Sequence, residues 1–176
     1  MVLFVILEQR LSLKTIILIR HAKSDWVNLG LNDFDRPLNE RGKKDAPVMA
    51  NRLLEKKISI DAFISSPAKR AAKTAGFFVE AFNRKKGEII FKPELYMATP
   101  SVFFKVITKT DDTFNSIAVF SHNNGITDFI NMLTDTRIDN MPTCGVFAIK
   151  AQCETWKEFM DCKKDFWFFD YPKSIH

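Results

Sequence analysis

Residues 15–19 (TIILI) form an unbroken apolar, β-branched run that is followed at once by Arg20 and His21. A short run without polar alternation is what a strand covered on both faces needs, and strands of that kind belong to mostly parallel sheets with helices on each side. The pattern recurs. Residues 60–64 read as a second such strand, ending at Ser65-Ser66-Pro67, where a serine can cap and a proline can open a helix over 68–82. A third strand, 116–120, leads through Ser121-His122-Asn123-Asn124-Gly125 into a helix with Ile126, Phe129, Ile130 and Leu133 on one face. Between the first two strands, Asn39 is placed to cap a helix over 39–57 whose apolar positions are Val48, Met49, Leu53 and Leu54. Pro47 is expected to kink or split that helix, because it removes one ladder donor and crowds the preceding turn. Residues 89–91 read as a further strand, and 145–149 and 166–169 as late strands, antiparallel at one edge. The alternation predicts an α/β fold: a three-layer α/β/α sandwich with a mostly parallel central sheet and an antiparallel edge.

Composition narrows the class without choosing a function. With 176 residues, 46% apolar and 27% charged, the chain has the balance of a globular protein. A chain of this length buries roughly 70% of its unfolded surface, so it needs no disulfide or metal staple. A disordered tail, a collagen-like rod and a disulfide miniprotein are excluded. The net charge of +5 fits an anionic substrate and equally a generic basic surface. Cys144, Cys153 and Cys162 stand nine residues apart with no CxxC pair, which reads as free thiols in a reducing, cytoplasmic setting. No metal site and no cofactor are expected. Residues 1–14 are set apart as an N-terminal extension of unknown role and 15–176 as a single domain. The apolar start is too short to span a membrane and lacks the basic leading segment of a signal peptide.

In open parallel sheets, ligands bind beyond the carboxyl ends of the strands, where loops converge and helix N-termini point outward. Two of the three histidines, His21 and His122, stand at such strand ends, while the third, His176, closes the chain. Arg20 and Arg70 occupy comparable positions. Guanidinium groups offer paired donors to phosphate oxygens, so a pocket holding both suits a tetrahedral anion. Each has a bland reading: a satisfied loop histidine for His21 or His122, a basic helix face shared with Lys69 and Lys73 for Arg70. Asp33, Asp35 and Arg36 read as a local ion-pair cluster, with a gate over the substrate as the alternative. The seventeen phenylalanines, among them Phe63, Phe77, Phe78, Phe120 and Phe129, are read as core rather than as platforms for bases, and no nucleic-acid or membrane partner is expected.

The run Leu18-Ile19-Arg20-His21-Ala22-Lys23-Ser24 resembles the strand-plus-Arg-His motif of the histidine phosphatase superfamily, which includes phosphoglycerate mutases and acid phosphatases. Asp33-Phe34-Asp35-Arg36-Pro37-Leu38-Asn39-Glu40-Arg41-Gly42, then Ser65-Ser66-Pro67-Ala68-Lys69-Arg70-Ala71-Ala72-Lys73-Thr74-Ala75, then Ser121-His122-Asn123, are similar to the SixA-type phosphohistidine phosphatase branch. The resemblance implies a phosphoglycerate mutase-like fold. It makes His21 a nucleophile that becomes transiently phosphorylated, Arg20 and Arg70 the holders of the transferring phosphoryl group, and His122 the second histidine of the pocket. Ser24 keeps the expected offset and is a candidate phosphate contact, with loop capping as its alternative.

One departure is informative. Many members of the superfamily carry a glutamate, two residues after a leucine, that protonates a departing alkoxide; here Leu95-Tyr96-Met97 puts methionine there. Imidazole, with a pKa of about 6.5, can leave neutral if already protonated, whereas an alkoxide needs a proton supplied. The expectation is therefore a metal-independent phosphatase acting on phosphohistidine or related activated phosphates, its partner a phosphorylated protein or a small phosphorylated substrate. Two alternatives stand beside it: a small-molecule phosphomonoesterase using Asp25 as substitute acid, and an inactive module that only binds phosphate. The Arg-His motif also continues as Ala22-Lys23 rather than Gly-Glu, and Asn28 lies one position later than the phosphate-contacting asparagine of the mutases.

Overall fold

β1, Leu13–Arg20, is the strand around which the sheet is assembled: parallel β4, Ser116–Ser121, lies on one side and antiparallel β5, Val146–Gln152, on the other. The computed structural model describes residues 13–26 and 30–174. Among them β2, Ala62–Ser65, β3, Ile89–Phe91, and β6, Lys164–Asp170, complete a sheet of order β3-β2-β4-β1-β5-β6. The first four strands in that order are mutually parallel, and β5 and β6 form the antiparallel edge. The boundary drawn at residue 14 falls inside β1, since Leu13 pairs with Gln152 and Lys14 with Ala151. Lys14 is buried, its ammonium donating to the carbonyls of Asp112 and Phe114 and to Asn115 Oδ1. Asn28 and His176 lie outside the described residues.

The sandwich follows from the two-residue period of β1. Ile16 and Leu18 pack into one apolar cluster with α3, Pro100–Ile107, and α4, Gly125–Leu133. Ile17 and Ile19 pack into the other with α1, Glu40–Glu55, and α2, Lys69–Ala81. With both faces covered, continuous hydrophobicity is what the strand needs.

Two local expectations are corrected, and one helix is added. α1 runs unbroken through Pro47. The bond that Pro47 cannot make is to the carbonyl of Lys43, which lies on the exposed side where water can replace it. The buried stripe of α1 is Ala46, Met49, Ala50 and Leu53, while Val48 and Leu54 face outward, because small alanines let the helix sit close to the sheet. α3 lies outside the sequence-based expectation: Pro100 opens it, and its run of Val102, Phe103 and Phe104 hides the helical period.

Candidate functional site

Strand register brings the site together. Arg20 pairs with Ser121 and Ser65 with Phe120, so the carboxyl ends of β1, β4 and β2 lie level, and His21, His122 and Ser66 are the first residues beyond them. The amide of His21 donates to the Ser121 carbonyl at 3.0 Å, and that of Ser66 to Phe120 at 3.0 Å. From the other side of β1, the amide of Cys144 donates to the carbonyls of both Arg20 and His21. The loop after β1 is pinned further by Thr74 of α2, whose hydroxyl accepts from the Ala22 amide at 3.0 Å and donates to the Arg70 carbonyl at 2.7 Å. Gly42, at the start of α1, leaves no room for a Cβ against the Lys23 carbonyl, so the helix closes directly on the loop.

His21 and His122 stand with ring centroids 5.0 Å apart on a cavity of about 250 Å³ that Arg20, Arg70 and Ser24 also line. His21 is buried. Its Nδ1 lies 2.8 Å from the carbonyl of Ala22, a group that only accepts, so Nδ1 carries the proton and Nε2 holds the lone pair. The Nε of Arg70 donates to that Nε2 at 3.2 Å. Burial holds the His21 pKa well below 6.5, with the charges of His122, Arg70 and Arg20 adding to it against the opposing Ala22 hydrogen bond. Repulsion by the arginines was the expected cause; withdrawal from water proves the larger one. His122, also buried, is pushed down to about 3 by burial and by Arg70, so it too is neutral in the empty cavity. Its Nε2 meets the Ser66 hydroxyl at 2.8 Å, and its Nδ1 is buried with no hydrogen-bond partner.

Arg70 is held at every nitrogen: besides Nε on His21, Nη1 donates to the Asp33 carbonyl at 2.5 Å and Nη2 to the Asp33 carboxylate at 2.9 Å. Arg20 donates through Nη1 to the Met141 carbonyl at 2.7 Å, while its Nε is buried and unpartnered. Burial and the neighbouring Arg70 lower the Arg20 pKa from its ordinary value.

Asp33 is thus part of the site as well as of the expected ion pair. Its Oδ1 lies 2.7 Å from Arg36 Nη2, and its Oδ2 takes bonds from Arg70 and from the Tyr96 hydroxyl at 2.8 Å. Partial burial pushes the Asp33 pKa upward, but the Tyr96 and Arg70 hydrogen bonds and the charges of Arg70 and Arg36 win and bring it to about 2. Asp35 stays on the exposed side of the same turn. Tyr96 also sets its ring edge-on to His122, centroids 5.5 Å apart. Sequence reasoning passed over Tyr96, whose only signal was its place beside Met97. It offered Ser65 or Ser66 as the cap of the following helix, yet the N-cap of α2 is Ala68. The Ser66 hydroxyl does accept from the Ala68 amide at 3.3 Å, but its shorter contact is to His122.

Met97 lines the cavity, 63% exposed and at a φ of 54°, in the left-handed region that a side chain enters at some cost. An apolar group therefore stands on the wall where the expected acid is missing. Asp25 does not line this cavity; it faces a neighbouring depression with Leu38, Asn39 and Glu40. Gly125 again leaves no room for a Cβ, here against the Ala98 carbonyl, so the loop carrying His122 touches the loop carrying Met97 at backbone contact. Among the described residues no group of three or more His, Cys, Asp or Glu is placed to hold a metal ion. No helix among them is long and apolar enough to cross a membrane.

The chain is similar to known proteins to different extents. The profile of the histidine phosphatase superfamily (branch 1) matches residues 16–96. An uncharacterized chloroplastic protein of Arabidopsis thaliana is 28% identical over 82% of this chain and 70% of its own. Phosphoserine phosphatase 1 of Hydrogenobacter thermophilus is 41% identical over 39% of this chain, a stretch that spans 32% of that enzyme. Among solved structures, the Agrobacterium tumefaciens protein assigned as the phosphohistidine phosphatase SixA superposes with a TM-score of 0.76 over 90% of this chain and 98% of its own, at 24% identity. That likeness extends over the whole sandwich and makes the fold phosphoglycerate mutase-like. The profile, for its part, opens on the strand that delivers Arg20 and His21 and closes on Tyr96 at the opposite wall, and over that stretch the chain matches the histidine phosphatase superfamily.

Proposed function

We propose that the protein is a metal-independent phosphatase of the SixA-like kind, which hydrolyses phosphohistidine or related activated phosphates through a phosphohistidine intermediate on His21. The observation that carries this reading is the state of the His21 ring: Nδ1–H is committed to the Ala22 carbonyl, so a neutral Nε2 lone pair faces a cavity lined by two arginines.

The chemistry follows from that geometry. Substrate phosphate displaces the Arg70 Nε–H from His21 Nε2, and Arg70 and Arg20 take the equatorial oxygens, compensating the charge on which phosphoryl transfer depends. Nε2 bonds to phosphorus as the bond from phosphorus to the leaving nitrogen breaks. A leaving imidazole that already carries its proton departs neutral, and the missing acid at Met97 costs nothing. Phosphorylated His21 keeps Nδ1–H on the Ala22 carbonyl, which stabilises the positive charge of the ring. Water then attacks the phosphorus, inorganic phosphate leaves and the Nε2 lone pair returns. His122, neutral in the empty cavity, has its unpartnered Nδ1 free to bond to the phosphoryl group, and Ser24 lies on the same wall. The Asp25-dependent phosphomonoesterase loses support, because Asp25 faces the neighbouring depression. The mouth is flanked by Trp26 and Met97, 64% and 63% exposed, a rim suited to a phosphoryl group presented on a protein surface.

The test is to react the protein with para-nitrophenyl phosphate and with a phosphohistidine-bearing protein, and to map the trapped phosphoryl group by mass spectrometry without acid. Label on His21, with faster turnover of the phosphohistidine protein, is the expected result. Stable label elsewhere, or full turnover by His21→Ala, would overturn the reading, and tight phosphate binding without turnover would point to a binding module.

A further inference from the structure

Arg36 has more donors than its ion pair uses. The guanidinium lines the same cavity as His21 and is only 8% exposed. Nη2 reaches Asp33, but Nε and Nη1 are buried and meet no acceptor. A buried polar group left without a partner costs on the order of 1–3 kcal/mol, and more when it is charged. The guanidinium also lies over the Trp26 ring, its Cζ 3.5 Å from the centroid, so its plane is fixed while the tryptophan stands at the mouth.

The position of Arg36 follows from the Asp33 carboxylate. One oxygen of that carboxylate binds Arg36 and the other binds Arg70 Nη2, whereas Arg70 turns its Nε toward His21. Arg36 is therefore separated from the His21–Arg70 pair by the width of a carboxylate, beside Trp26 at the mouth. A phosphoryl group on His21 Nε2 falls to Arg70 and Arg20. Whatever extends from it toward the mouth meets Arg36, with Lys23 lining the same cavity.

We propose that Arg36, held on Trp26, binds a second anionic group on the leaving part of the substrate, a carboxylate or a phosphate. The site then selects phosphorylated substrates that carry a further negative charge next to the group being transferred. A site with committed donors discriminates against analogues that leave those donors unpaired. This inference rests on the phosphatase reading above for the word substrate, but the binding site itself can be tested apart from turnover.

The probes are 4-carboxyphenyl phosphate, its neutral analogue 4-carbamoylphenyl phosphate, and benzene-1,4-diyl bisphosphate. Their dissociation constants are measured by calorimetry on His21→Ala, which cannot be phosphorylated, and on the same protein carrying Arg36→Gln or Arg36→Lys. A second charge should tighten binding about tenfold over the carbamoyl compound, equivalent to about 1.4 kcal/mol, and the two charged probes report whether carboxylate or phosphate fits better. Arg36→Gln should bring the preference below twofold, and Arg36→Lys should keep part of it. Equal binding of charged and neutral probes with Arg36 intact, or a preference that survives Arg36→Gln, would each overturn the proposal. Turnover and His21 labelling in the unsubstituted protein report separately on the phosphatase reading: preference without turnover keeps Arg36 and sinks that reading, and turnover without preference does the reverse.

Discussion

The Nε of Arg70 donates to the Nε2 of His21 at 3.2 Å, so the cation occupies the lone pair that the proposed reaction uses. The contact disfavours a proton on that nitrogen and, in the proposed reaction, marks where the phosphoryl group enters. Arg70 thereby adds to the burial that keeps His21 neutral and, in that reading, takes the oxygens that replace the contact.

Arg70→Ala should therefore lower kcat/KM by about 10³ to 10⁵, the scale of charge-stabilising arginines in phosphoryl transfer. Steady-state kinetics on para-nitrophenyl phosphate would measure it. A loss below tenfold would make Arg70 peripheral.

Stability should fall as the medium turns acid from near neutrality. His21 and His122 stay neutral in the folded protein, while in the unfolded chain both take up protons below about pH 6.5. Unfolding is then favoured by about 1.4 kcal/mol per pH unit for each histidine, and for His122 this continues down to its folded value of about 3. Asp33 acts in the same sense lower down, because a carboxyl held at about 2 loses its contribution as pH falls from 3.8 toward that value. Denaturant titrations between pH 7 and 4 should give a shallower slope for His122→Asn than for the unsubstituted protein. Parallel curves would mean that folding does not depress His122.

Met97→Glu places a carboxyl on the cavity wall where the sequence lacks an acid. General acids contribute about 10² to 10⁴ in rate, so an imperfectly placed one should still raise kcat on an alkyl phosphate about tenfold while changing the aryl phosphate rate far less. An unaltered ratio of the two rates would show that position 97 is not where an acid is missing.

Gly42→Ala forces a methyl group against the Lys23 carbonyl. Overpacking of this kind costs about 1–3 kcal/mol, or about 2–4 °C in Tm per kcal/mol for a domain of this size. Because Lys23 follows His21 in the same loop, kcat should fall along with Tm. A stable variant of normal activity would show that α1 and the loop separate easily.

What the sequence made legible was whatever depends on local pattern. Residues 15–19 declared a two-faced strand, and His21 and His122 at strand ends, with Arg70 in the first turn of a helix that follows one, pointed to a shared pocket; all three line one cavity. What stayed hidden depends on how distant loops return. The carboxylate of Asp33 reaches Arg70 across 37 positions, and nothing local shows that it binds a second arginine besides the neighbouring Arg36. Ser66 looked like a helix cap because the residues around it fit one, and only the level ends of β2 and β4 bring it to His122. The cause of His21 neutrality was misjudged for the same reason, since burial belongs to the assembled fold and the neighbouring charges are visible in the chain.

The absence of a side chain at Gly125 has a mechanical result. With only a hydrogen between it and the Ala98 carbonyl, the segment bearing His122 and the segment bearing Met97 meet backbone to backbone, and any side chain at position 125 would wedge them apart. One bank of the cleft is thus built from two strand-end loops seated directly on each other, across from the bank formed by Trp26 and Arg36.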